Sequence, residues 1–188
     1  MSAIPNGAIL GTVRYLTAVS LAVGASFGLL GSFLVPGPAQ NGSWEISSVG
    51  LIVGTALFAV RLARNGDDRA ATGFALLAIA EAIMSSGTAG PPASSMAAFG
   101  AGVALYVPAL LLISVPRGFP IWARIAGIAA AAPFLVEAVL VFDNRPQPQT
   151  GSLPSAGYAL MTVAIVGWIV HVLRAVPQPQ VVSRPKAS

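Results

Sequence analysis

The chain has 188 residues, of which 55% are hydrophobic and only 9% charged. A soluble domain carries about 25% charged residues, so a water-facing surface cannot be assembled from this composition. The absence of cysteine removes disulfide frameworks, thiolate nucleophiles, cysteine-ligated zinc and iron–sulfur clusters, and a single histidine rules out bis-histidine haem ligation within one chain.

The only lysine, Lys186, lies in a polar tail, which argues against a retinal-type Schiff base within the membrane. A net charge of +4 could suggest nucleic acid, but the basic residues are spread between apolar segments. Membrane topology explains that spacing better, and no nucleic-acid partner is expected.

A helix needs roughly 20 apolar residues to cross a bilayer. Six segments meet or approach that length: about 8–35, 46–62, 70–88, 95–115, 120–142 and 154–175. The connectors, such as Pro36-Gly37-Pro38 and Gly90-Pro91-Pro92, are too short for a separate domain. The expected fold is therefore all-α: a polytopic integral membrane protein built as a single six-helix bundle. Arg14 and the apolar run up to Gly37-Pro38-Ala39 loosely mimic a signal peptide, but that run exceeds the usual core of about 7–15 residues. Trp44 and Trp122 fall at predicted span ends, where amphipathic rings favour the interface. The proline-rich segment 176–188 reads as a disordered tail.

Lys and Arg accumulate on the cytoplasmic side of membrane proteins. With six crossings, Arg14, Arg61, Arg64, Arg69, Arg117, Arg124, Arg174, Arg184 and Lys186 share one face, and only Arg145 lies on the other. Both termini are accordingly expected in the cytoplasm. The lack of cysteine and the alanine–glycine content fit a bacterial inner membrane.

Small residues let membrane helices approach closely, because lipid supplies no hydrophobic drive between them. Arg14, Thr17, Leu21, Gly24, Gly28 and Gly31 recur at helical spacing in the first span, and Gly50 and Gly54 share a face of the second. These faces suit intramolecular packing, or contact with lipid, a second copy or partner helices. Pro108 and Pro133 are expected to bend spans four and five.

An ionisable side chain at the bilayer centre costs about 2.5–3.5 kcal/mol on insertion scales. Glu81 is the foremost case, about 16 Å along the third span from Ala70 at 1.5 Å per residue. Ala78, Ser85 and Thr88 fall on its face, and Tyr106 on the antiparallel fourth span reaches a similar depth. Arg14 is the cation with the reach to pair with it. Glu81 can thus be a proton- or cation-responsive group, a polar anchor for a small ligand, or an interhelical tie that fixes register. Glu137 is expected near the outer boundary with Asp143 beyond it, either as a solvated pair or as a vestibule for cations. His171, close to Arg174, reads as an interfacial hydrogen-bonding residue rather than a metal ligand.

Gly24-Ala25-Ser26-Phe27-Gly28 fits the letters of a serine-nucleophile elbow. That motif needs a strained strand-to-helix turn, whereas this run lies within an apolar helix. Ser26 and His171 also fall at opposite depths, so no dyad forms. Walker, dinucleotide and H-E-x-x-H motifs are absent from the sequence, and Asp67-Asp68 reads as a charge-balanced turn. No catalytic residue, metal or cofactor is expected, and an enzyme is the minority reading. The leading one is a non-enzymatic protein that binds or transports a small ligand or ion, or responds to protons, at an intramembrane site of Glu81, Ser85, Tyr106 and Arg14, with Glu137 and His171 secondary. The alternative is an accessory or structural protein that binds lipid or partner helices through its glycine faces.

Overall fold

The computed structural model describes residues 6–88, 92–143, 145 and 151–174. They form six α-helices: α1 Asn6–Phe33, α2 Pro38–Arg64, α3 Asp68–Thr88, α4 Pro92–Ser114, α5 Ile121–Phe142 and α6 Ser152–Arg174. All six are long and apolar enough to cross a membrane, the make-up of a multi-pass membrane protein. Each is apolar around most of its circumference, as expected where one side faces neighbours and the other faces lipid. Val19, Val49, Val60, Leu135 and Val139 point outward, while Leu21, Phe58, Phe74 and Phe134 point inward. The expected tail at 176–188 and the side chain of Thr88 lie outside the described residues.

Each helix packs against its neighbours in sequence, and α1 meets α6, so the six form a closed ring. Short connectors make neighbours antiparallel. Gly24 lies against Leu51 and Gly54 against Leu21; likewise Gly87 meets Ser95, and Gly73 meets Ala109. One end of the ring therefore carries the start of α1, the end of α6 and the α2–α3 and α4–α5 turns. This end is called terminal below, and the opposite end distal.

Five helices begin and end close to the predicted limits, but α2 starts at Pro38, eight residues before Ile46. Hydropathy falls across Gln40, Asn41, Gly42, Ser43 and Glu45, and length of apolar run is what the sequence reading used. The helix continues because several of these polar groups are satisfied by α1. Gln40 Nε2 donates to the carbonyls of Gly31 and Leu34, Ser43 to Phe27, and Ser47 to Gly24. Trp44 accordingly sits within α2 against Gly31 rather than at a span end. The glycine stripe of α1 and the Gly50/Gly54 face of α2 are consumed in this intramolecular seam.

The terminal-end turns are capped from within. Gly66, at φ 79°, closes α2: its N–H reaches the Ala63 carbonyl, and the Asp67 N–H reaches Leu62. This is the paired Schellman closure, which favours glycine. Asp67 then accepts from the Ala70 N–H at 3.2 Å and caps α3. Arg124 donates to the carbonyls of Ser114 and Val115, both at 2.8 Å, and so satisfies the end of α4.

Inside the ring, the terminal half is filled by aromatic rings. Phe74 lies 4.5 Å from Phe58 and 4.9 Å from Trp168 between centroids, and Phe119 lies 5.8 Å from Phe58. His171 joins them, 4.8 Å from Phe119. Edge-on and tilted rings at these separations add to the burial they provide. Tyr106, Phe134 and Tyr158 form a second cluster above this plug.

Candidate functional site

Cα–Cβ bonds tilt toward a helix N-terminus. Glu81 on α3 therefore leans toward the terminal end, while Tyr106 on the oppositely running α4 leans toward the distal end. The two meet: the Tyr106 hydroxyl donates to Oε1 of Glu81. Ser48 of α2 donates to Oε2 at 3.0 Å, so both carboxyl oxygens have hydroxyl partners. Glu81 is 3% exposed and Tyr106 fully buried.

One turn toward the distal end the roles of α2 and α3 reverse. Ser85 donates to Oε2 of Glu45 at 2.9 Å. Glu45 and Ser48 are three residues apart and Glu81 and Ser85 four apart, so each pair shares a helix face. Antiparallel packing then matches Glu45 with Ser85 and Ser48 with Glu81.

A cavity of about 100 Å³ adjoins this exchange, lined by Glu45, Ser48, Glu81, Ser85, Tyr158 and Thr162 among others. Its remaining wall is largely apolar, from Leu51, Met84, Phe99, Met161 and Ile165, and it extends along α1 to Ser32. A water needs roughly 10–15 Å³ of such a cavity, so the space holds several waters or a ligand of a few heavy atoms. It is well below the roughly 300–1,000 Å³ of sites for drug-sized molecules. The aromatic plug closes the ring beneath it. The arrangement is a blind, mostly apolar chamber in the distal half, with two carboxyl groups on its wall.

Of the residues expected at the site, Glu81 and Tyr106 are brought together and Ser85 borders the same chamber. Arg14 is not. It lies near the terminal end of α1, where its guanidinium donates to the Tyr15 hydroxyl at 3.2 Å and lies 5.0 Å from that ring's centroid. The oxygens of Glu81, in the distal half of α3, are taken by Ser48 and Tyr106 instead. Glu137 is fully buried rather than solvated. It continues the inward stripe of Ala123, Ala126, Ala130 and Phe134, and the helical period carries it to the interior. Asp143 stays exposed at the end of α5, 3.1 Å from Arg145, so the two carboxyl groups do not form a common vestibule. His171 belongs to the aromatic plug at the opposite level of the bundle. Among the described residues, no three His, Asp or Glu side chains converge as a metal cluster.

Sequence reasoning missed Glu45, Ser48 and Tyr158. Glu45 fell one residue outside the span expected to start at Ile46. The usable signal was the matching Glu/Ser spacing on two antiparallel neighbours. Tyr158, whose hydroxyl approaches the Met84 sulfur at 3.9 Å, carried no such sign.

No family model, curated protein or solved structure matches the chain.

Proposed function

We propose that the protein is a non-enzymatic membrane protein that binds a small, hydrogen-bond-donating ligand, best a cation, in the chamber beside Glu81. The observation that carries this reading is the cavity itself. Dry packing around Glu81 would leave the carboxyl group a mere tie, whereas an adjoining space lined by two carboxyl groups provides acceptors for a donor-rich guest. Charge-assisted hydrogen bonds to a carboxyl group are roughly twice as strong as neutral ones. Apolar walls suit a ligand with a short hydrocarbon body. The plug below supports binding from the distal side over free conduction.

The Lys/Arg distribution supports a cytoplasmic terminal end, which directs the chamber toward the outer leaflet. The cysteine-free, alanine- and glycine-rich composition supports a bacterial inner membrane.

A structural reading remains the rival, favoured by one specific fact: both oxygens of Glu81 already have partners. Glu81→Gln separates the two, since the amide keeps an acceptor and shape but loses the acid. The test is titration of the purified protein in phosphatidylcholine nanodiscs with n-butylamine at neutral pH, read by melting temperature. Saturable stabilisation that Glu81→Gln abolishes, with the unliganded melting point retained, supports binding. No stabilisation of the wild type, and no small molecule co-purifying in native mass spectrometry, supports the structural role.

A further inference from the structure

Glu45 lines a second concavity as well as the chamber. This groove, of about 400 Å³, runs along the outer surface of α1 and α2 and is formed by Val19, Val23, Ile46, Val49, Gly50 and Val53, with Ser20 and Glu45 as its polar members. Val19 and Val49 are more than half exposed and Ile46 and Val53 more than a third, so the groove faces the surroundings of the bundle. From Glu45 to Val53 it extends about 12 Å along α2 at 1.5 Å per residue. Gly50, packed directly against the α1 backbone at Ser20 and Gly24, lies at its floor.

The groove is directional. Glu45 closes its distal end, two turns from the start of α2, while the valines extend toward mid-bundle. A polar group near a helix end with an apolar track running inward is the profile of a lipid-like molecule in a bilayer leaflet.

We propose that the groove binds a single-chain lipophilic amine: the alkyl chain lies along the valines of α1 and α2, and the ammonium pairs with Glu45, the carboxyl group that the groove shares with the chamber. The assignment rests on the chamber reading above and gives its ligand class. An ammonium offers three donors and no acceptor, complementary to a groove whose polar members are Glu45 and Ser20. A fatty acid or phosphate headgroup would bring a second anion against Glu45. A partner helix would fit the valines but would leave Glu45 at the edge of an apolar contact.

The experiment compares n-dodecylamine with n-butylamine on the full-length protein in dodecyl maltoside, by native mass spectrometry and melting shifts. Val49→Phe/Val53→Phe fills the groove from its exposed face and does not touch the chamber. This double variant is expected to weaken n-dodecylamine about tenfold, near 1.4 kcal/mol, and to leave n-butylamine unchanged. Glu45→Gln is expected to weaken both amines. If n-butylamine binds but n-dodecylamine is indifferent to groove filling, the groove assignment falls and the chamber stands. If neither amine binds the wild type, the chamber reading falls with it. Loss of a dimer in the double variant, with amine binding unaltered, would make the groove a helix interface and overturn the proposal.

Discussion

Ser48 on α2 and Glu81 on α3 are joined Oγ to Oε2 at 3.0 Å, and one turn away Ser85 returns the same kind of bond from α3 to Glu45 on α2. The exchange couples two helices through four side chains that also wall the chamber. Interhelical hydrogen bonds in membranes average about 0.6 kcal/mol and reach about 1.7. Ser48→Ala and Ser85→Ala are each expected to lower unfolding free energy within that range in a detergent titration. Because the two bonds are one turn apart, the double variant should depart from additivity, which a double-mutant cycle measures.

Glu81→Ala should cost more than either serine change. It takes the carboxyl acceptor away from Ser48 and from the fully buried Tyr106 hydroxyl, which keeps only its side-chain hydrogen bond with Tyr158, and disrupting buried polar partners in this way costs about 1–3 kcal/mol. Removing the hydroxyl too, in Glu81→Ala/Tyr106→Phe, also removes the Tyr158 hydrogen bond and should recover little of that loss. A double variant less stable than Glu81→Ala alone would show that the Tyr106–Tyr158 bond is itself stabilising.

The α1–α2 seam predicts a sharp contrast between glycines. A Cβ at Gly50 would stand 2.7 Å from the Gly24 nitrogen and 2.9 Å from the Ser20 carbonyl oxygen, both backbone atoms that cannot rotate away. A Cβ at Gly42 meets nothing within 4 Å. Gly50→Ala should therefore destabilise by about 1–3 kcal/mol, the usual cost of overpacking. Gly42→Ala should be neutral or slightly stabilising, since glycine is the poorer helix former. Equal melting points for the two variants would contradict the close approach.

Most of the architecture was legible because hydrocarbon sets the length of each helix and short connectors set its neighbours. Glu81 and Tyr106 were legible together, since an acid in an apolar span is costly and counting rise along antiparallel helices brings the phenol to its depth. Glu45 was not, because a hydropathy rule assigns Gln40-Asn41-Gly42-Ser43 to a loop. Only three-dimensional packing shows the α1 carbonyls that satisfy this polar start of α2. Arg14 failed for a related reason: long reach says nothing about direction, and the adjacent Tyr15 ring offered the guanidinium a local partner. The burial of Glu137 is implicit in the spacing Ala126, Ala130, Phe134, Glu137, which sets it on the inward face, whereas depth along the helix alone places it near the outer boundary.

The chamber's blind end gives the remaining prediction, and the cysteine-free sequence makes it convenient to test. Thr162→Cys places a thiol on the chamber wall, while Asn65→Cys marks the terminal end at the exposed α2–α3 turn. In sealed vesicles of known orientation, a charged methanethiosulfonate reagent should modify the Thr162 variant only from the distal side and the Asn65 variant only from the terminal side. Phe74, fully buried between Phe58 and Trp168, is the centre of the barrier. Phe74→Ala should admit the reagent to the Thr162 thiol from the terminal side as well, at a stability cost of about 3–5 kcal/mol. Labelling from both sides with Phe74 intact would mean that the chamber is one segment of a continuous pore, and conduction would then replace binding as the reading to pursue.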